Sequence, residues 1–175
     1  MPKYLMGVDI GTSGTKSIIA DETGRVIASR TEEYPLYTPK PGWAEQRPED
    51  WWDAVVKSVR AIIAKAALPA NEIAGLSLSG QMHGLVALDK DMQVIRPAML
   101  WCDQRTQKQC DWITEKAGGL DELVKLTNNR MLTGYTGGKI LWLRDEEPEN
   151  FARMKVFINP KDYIRFKLTG EIGTD

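Results

Sequence analysis

Two short apolar runs open the chain, residues 4 to 10 (Tyr4-Leu5-Met6-Gly7-Val8-Asp9-Ile10) and 15 to 20, separated by Gly11-Thr12-Ser13-Gly14. Apolar runs split by a glycine-bracketed turn predict a β-hairpin. Asp21 to Gly24 makes a second turn, and Val26 and Ala28 then alternate with polar neighbours as far as Glu33, before Pro35 and Pro39. This predicts a third antiparallel strand. Pro48, Glu49 and Asp50 suit a first helical turn, and Trp52, Val55, Val59, Ile62 and Ala66 recur at helical spacing until Pro69. Ile73 to Ser79 reads as a buried strand ending at Gly80, and Leu85–Leu88 with Val94-Ile95 flank an Asp89-Lys90-Asp91 turn as a further hairpin.

Beyond Trp101 the pattern turns helical. Helices are predicted over about 104 to 117, stopped by Gly118-Gly119, over about 121 to 127, and over about 138 to 146 before Pro148. Val156 to Ile158 predicts a last strand, and Lys161 to Leu168 a short helix before Gly170. Three strands, a helix and another strand make a mixed α/β unit, with no internal repeat. The chain stops at Thr174-Asp175 directly after a turn. That ending leads us to expect that residues 1 to 175 are the first part of a longer protein.

Composition narrows the function more than the fold. With 175 residues, 42% of them hydrophobic and 27% charged, the chain is long enough for one sizeable core. A net charge of -1 supplies no broad positive field, so neither a nucleic acid nor an anionic membrane is an expected partner. The apolar stretches fall far short of the roughly 20 residues a bilayer requires, and no secretory leader pattern opens the chain. Cys102 and Cys110 lack metal-binding or redox spacing and are expected as free thiols. A cytoplasmic location follows as the expectation.

Asp9-Ile10-Gly11-Thr12-Ser13-Gly14-Thr15-Lys16 sets a carboxylate at a strand end, then a glycine turn with hydroxyls, then a lysine. Glycines let backbone N–H groups approach phosphate oxygens, hydroxyls add donors, Lys16 offsets charge, and Asp9 suits Mg²⁺ directly or through water. An ordinary hairpin turn would also need the glycines. A Walker loop is ruled out, because its GxxxxGK[ST] spacing is missing and a strand, not a helix, follows. The second candidate is Ser79-Gly80-Gln81-Met82-His83-Gly84, which contains the chain's single histidine just past a strand end, where α/β proteins place ligands. Gln81 and His83 suit hydrogen bonds to sugar hydroxyls and Met82 suits contact with a carbon skeleton, whereas a lone histidine is as well explained by a structural role. Trp101 is equally open to core packing.

The Gly7-to-Lys16 pattern at the head of a three-strand meander resembles the first phosphate loop of the actin, hexokinase and heat-shock-70 ATPases. Within that superfamily, Gly80-Gln81-Met82-His83-Gly84 is similar to the segment of the D-xylulose-acting members of the FGGY carbohydrate kinases. Leu100 to Thr106 resembles the family's Trp-x-Asp-x-Arg-Thr segment, Gly134 to Glu146 its first signature, and Asn159 to Arg165 its Pro-Lys-Asp-Tyr segment. Trp43 to Gln46 with Pro48 to Trp52 looks like its entry to the first helix, read as packing and capping.

The resemblance implies a ribonuclease H-like, actin-like ATPase fold: a mixed five-stranded sheet with flanking helices, forming an N-terminal lobe whose C-terminal lobe is absent. It implies ATP and Mg²⁺, with Asp9 organising the ion and Gly11, Thr12, Ser13 and Lys16 meeting the phosphates. Gln81, Met82, His83, Trp101 and Asp103 fall to the sugar, D-xylulose fitting best of the family's substrates, and a homodimer is common among relatives. Catalysis would move the γ-phosphoryl group to a primary hydroxyl, with an aspartate accepting the proton. That aspartate is expected beyond Asp175, so the chain alone should turn over little. A kinase for gluconate, glycerol or ribulose, or a non-catalytic actin-like nucleotide binder, stay open as alternatives.

Overall fold

The computed structural model describes residues 4–174. In chain order the elements are β1 (Tyr4–Ile10), β2 (Gly14–Asp21), β3 (Val26–Glu33), β4 (Glu45–Gln46), α1 (Pro48–Ala66), β5 (Ile73–Gly80), β6 (Val86–Leu88), β7 (Ala98–Met99), α2 (Gln107–Lys116), α3 (Leu120–Thr127), α4 (Thr136–Glu146), α5 (Pro148–Arg153), β8 (Val156–Ile158) and α6 (Pro160–Thr169). They fall into two compact units. The first holds the described residues up to Leu36, Arg47–Gln81 and those from Pro160; the second holds Tyr37–Gln46 and Met82–Asn159.

The first unit is built on a sheet of order β3-β2-β1-β5, with β1–β2 and β2–β3 antiparallel and β1–β5 parallel. It is mixed and helix-flanked as expected, but has four strands among the described residues rather than five. Val156–Ile158 is a strand as anticipated, yet it pairs with β6 inside the second unit. Alternation along β1 and β2 turns Met6, Val8, Ile10, Thr15, Ser17 and Ile19 to one buried face. α1 covers that face, its Ser58 hydroxyl 2.7 Å from that of Ser17. Pro48 occupies the first turn as predicted, and Ala67 closes the helix in a left-handed conformation (φ 52°) ahead of Pro69. The helix is phased so that Trp51, Ala54, Val55, Ser58 and Ile62 are buried, with Trp51 and not Trp52 on the inner stripe. One reading fails at β5: the apolar run was expected to be buried, but Leu76 is 42% exposed, because β5 is the sheet's edge and no further strand covers it among the described residues.

The second unit packs Leu85, Met99 and Trp142 together, with Trp43 and Ile140 against them. The pairing of β4 with β7 brings Glu45 opposite Met99. The hairpin expected over 85–95 reduces to an isolated Leu88–Val94 bridge and an Ile95 N–H bond to the Ala87 carbonyl (3.0 Å), since β6 spends its ladder on β8. Pro148, read as a helix stop, also starts α5, where its missing N–H costs nothing. The described residues contain no helix long and apolar enough to cross a membrane. Both cysteines are free thiols, as expected. Asp175, expected to lie short of the catalytic aspartate, is outside the described residues.

Candidate functional site

β1 and β2 are joined by Gly11-Thr12-Ser13, and the Gly11 N–H bonds the Gly14 carbonyl at 3.1 Å to close the turn. Glycine is required at residue 14, because a Cβ there would sit 2.6 Å from the backbone oxygen of Glu32 in β3. The turn is braced from two sides. The Tyr34 hydroxyl donates to the Gly11 carbonyl at 2.5 Å, and burial, then the Asp9 charge, push its pKa up to about 12. The amide of Gln81, itself buried, accepts from the Thr12 hydroxyl (3.3 Å) and donates weakly to the Gly11 carbonyl (3.5 Å). The Gln81 N–H also bonds the Ile10 carbonyl at 2.8 Å. Gln81, expected at the sugar, therefore stands against the glycine turn.

Asp9 and Lys16 are cross-strand partners on the face opposite α1, and Asp9 is paired with Ser79 on its other side. Both charged residues are exposed, as is Ser13. With Gly7, Ile18, Ser77 and Ser79, Asp9 and Lys16 line a hollow of about 380 Å³. A lysine, a carboxylate, hydroxyls and free space therefore lie together within one unit.

The boundary between the units falls between Gln81 and Met82, so the other residues expected at the sugar belong to the second unit. Met82 and Trp101 are 55% and 44% exposed, large apolar side chains held out of the core. His83 adopts a left-handed backbone (φ 62°), uncommon for a residue other than glycine. Its half-buried ring meets Tyr135 edge-on, centroids 4.8 Å apart, and burial, then the neighbouring Lys139, lower its pKa. Asp103 differs from the rest. It is fully buried, with its carboxylate accepting from the Ala44 N–H (2.7 Å), the Arg105 N–H (3.0 Å) and the Arg105 guanidinium (2.7 Å at the shortest). A carboxylate so engaged anchors the loop that presents Trp101.

Tyr34, Glu45, Arg105 and Lys139 are supporting residues to which the sequence reading gave no role at the site, although the last three lie inside the quoted motifs. Lys139 had a signal: it shares a helical stripe of α4 with Trp142 and Leu143, where a lysine is out of place. It is 0% exposed, and its ammonium donates to the carbonyls of His83 (2.8 Å) and Gly134.

Known proteins match this arrangement along its whole length. A sequence profile described as the FGGY family of carbohydrate kinases, N-terminal domain, matches residues 4–175. A xylulose kinase of Bacillus subtilis (strain 168) is 46% identical over 173 residues, 99% of this chain and 34% of its own. A solved xyloylose kinase from Brucella ovis superposes with a TM-score of 0.89 at 34% identity, over 96% of this chain and 34% of that one. A gluconate kinase structure from Lactobacillus acidophilus gives 0.88 at 31% identity, over 97% and 34%. The chain thus spans about a third of the length of the curated relatives it matches. These solved kinases carry the actin-like ATPase fold expected from the glycine turn, and the chain belongs to the FGGY family of carbohydrate kinases, as its N-terminal domain.

Proposed function

We propose that this chain serves a kinase that moves the γ-phosphoryl group of ATP to a primary hydroxyl of D-xylulose. The observation that carries the proposal is a braced, hydroxyl-bearing glycine turn in the same chain as exposed Met82 and Trp101 beside His83. Gly11, Thr12, Ser13 and Lys16 take the phosphates, Thr12 with its side chain also bonded to Gln81. Met82 and Trp101 offer apolar faces to the carbon skeleton and His83 offers a ring nitrogen to a hydroxyl, while Asp103 and Gln81 support from behind. Positioning is the chief demand of phosphoryl transfer, since there is little covalent work for the protein to do.

Mg²⁺ fits this donor set in one mode only. Among the described residues no group of three or more His, Cys, Asp or Glu gathers, so a protein cage is not offered. Asp9, an exposed carboxylate on the phosphate side of the sheet, suits an ion held by one carboxylate, waters and triphosphate oxygens. Such an ion, when bound, offsets charge on the phosphates. The proton-accepting aspartate and the adenosine-binding loops belong, in this reading, to the remaining two thirds of a family-length protein. A cytoplasmic location and a homodimer complete the reading, the first supported by two free thiols.

The relative named as a gluconate kinase supports a second reading, an aldonate as substrate. Coupled ADP-release assays on a family-length protein beginning with this chain decide between them. D-xylulose is expected to give the highest kcat/KM of a panel with gluconate, glycerol and D-ribulose, and the 175-residue chain alone little turnover. Preference for gluconate overturns the first reading in favour of the second, and no ADP release with any sugar overturns both.

A further inference from the structure

We infer that Lys139 is the positioning residue of the sugar loop, its buried ammonium fixing the backbone turn that aims the His83 ring. The inference rests on the reading that Met82 and His83 face the sugar.

Two segments meet at this ammonium, and a third lies against one of them. Its Nζ donates to the His83 carbonyl at 2.8 Å and to the Gly134 carbonyl, and the Thr136 hydroxyl adds a second donor to His83 at 3.3 Å. The third segment is the Trp101 loop, which Gly134 touches so closely that a Cβ would lie 2.5 Å from the Trp101 carbonyl. Thr106 and Gln104 hold the other side of the same strap, through the Thr133 carbonyl (3.2 Å) and hydroxyl (2.7 Å). Displacing Lys139 therefore releases the His83 turn and loosens the strap against Trp101.

The turn needs that hold. His83 has a left-handed φ of 62°, a conformation that tertiary contacts must sustain in a residue with a Cβ. Tyr135, next to Gly134, supplies the edge-on partner for the imidazole, so the strap sets both the backbone and the ring of His83. A neutral donor would satisfy the carbonyls, but an ammonium makes shorter and stronger charge-assisted bonds. The charged and titratable groups facing Lys139 are Asp103, Arg105 and Cys102 from the Trp101 loop, Cys110 from α2, and His83 itself. Burial outweighs the attraction of Asp103 and lowers the lysine's pKa to about 8, so the ammonium gives way to a neutral amine at mildly alkaline pH.

His83 is the chain's single histidine, so one imidazole Hε1 signal in the NMR spectrum of the 175-residue chain reports on it without assignment. The expected result is a wild-type pH profile with two inflections, one from the ring itself and one near pH 8 from Lys139. Lys139→Met should abolish the second, move the first upward by removing a neighbouring positive charge, and weaken D-xylulose, titrated against the same signal, at least tenfold. In the family-length protein MgATP affinity should change less than twofold, and Lys139→Arg should not rescue, because a planar fork does not fit an enclosed site. A Lys139→Met variant with the wild-type profile and wild-type sugar titration overturns the inference, as does equal weakening of sugar and nucleotide. If that variant does not fold, a wild-type profile without the inflection near pH 8 overturns it and one with the inflection supports it. If D-xylulose moves no signal in the wild-type chain, the pH profiles alone decide the role of Lys139, and the substrate reading rests on the family-length assay.

Discussion

Removing the Arg105 guanidinium tests whether the second unit is held by a closed balance of buried charge. Arg105 is 2% exposed, Asp103 0% and Glu45 8% at their side chains. The guanidinium grips both oxygens of Asp103, reaches Glu45 at 2.7 Å, and lies 3.5 Å above the Trp43 ring. Arg96 joins the far side, paired with Glu45 and, at 3.4 Å, with Glu147. Counting Lys139, whose charge Asp103 faces, three cations stand against three anions. Arg105→Met keeps the volume and removes one cation, so Asp103 keeps only backbone N–H donors and the more distant lysine. Leaving a buried charge unpaired costs about 3–5 kcal/mol. The lost stacking on Trp43 adds about 1 kcal/mol. Asp103→Asn should cost less, about 2 kcal/mol, because Glu45 still partners Arg105. The double variant removes both charges together, and its loss should fall at least about 2 kcal/mol short of the sum of the single losses. Urea unfolding followed by tryptophan fluorescence gives these values from midpoints at a shared slope. A loss below about 1 kcal/mol for Arg105→Met, or additivity within about 0.5 kcal/mol, refutes the mutual compensation.

Tyr34→Phe removes the hydroxyl that braces the Gly11 carbonyl and should cost about 1 kcal/mol, with weaker MgATP binding seen by calorimetry; unchanged nucleotide affinity would separate Tyr34 from the phosphate turn. Gly14→Ala puts a methyl 2.6 Å from the Glu32 oxygen, a backbone atom with little room to give, so about 1–3 kcal/mol is lost and amide exchange quickens where β2 meets β3. Lys139 links stability to pH. Its folded pKa of about 8 lies below the unfolded value of 10.5, so between the two the unfolded chain binds more protons and stability rises with pH, by up to about 3 kcal/mol. The urea midpoint of Lys139→Met relative to wild type should therefore fall as pH climbs from 7.5 to 10, and a difference independent of pH would sink the assignment.

Local chemistry was legible and distant pairing was not. The β1–β2 hairpin, the α1 start at Pro48 and the stop at Gly118-Gly119 depend on residues within a few positions of each other, and all three stand where the pattern puts them. β4 and β7 are two residues each and exist only because residues more than 50 apart pair, so no local pattern announces them. The same distinction explains β8, a strand by composition whose partner, β6, the sequence does not name. Apolar composition also misled at β5, because burial depends on what covers a strand as well as on what the strand contains.

The candidate site divides along a similar line. Residue type drew attention to Asp9 and the glycine turn, position past a strand end to Met82-His83, and the family resemblance then assigned them to phosphate and sugar. It assigned Gln81 with its chain neighbours, yet the nearest polar partners of that amide lie some 70 positions earlier, at Gly11 and Thr12. Asp103 was expected at the sugar from the resemblance of Leu100 to Thr106 to the family's Trp-x-Asp-x-Arg-Thr segment, but its oxygens accept from Ala44 and Arg105. In the proposed reading, both polar groups hold a loop instead of reaching the sugar themselves. The site proposed for the sugar would therefore present few groups and anchor them on many, and the anchors are the buried polar residues that local pattern reads as core positions or ordinary surface charges.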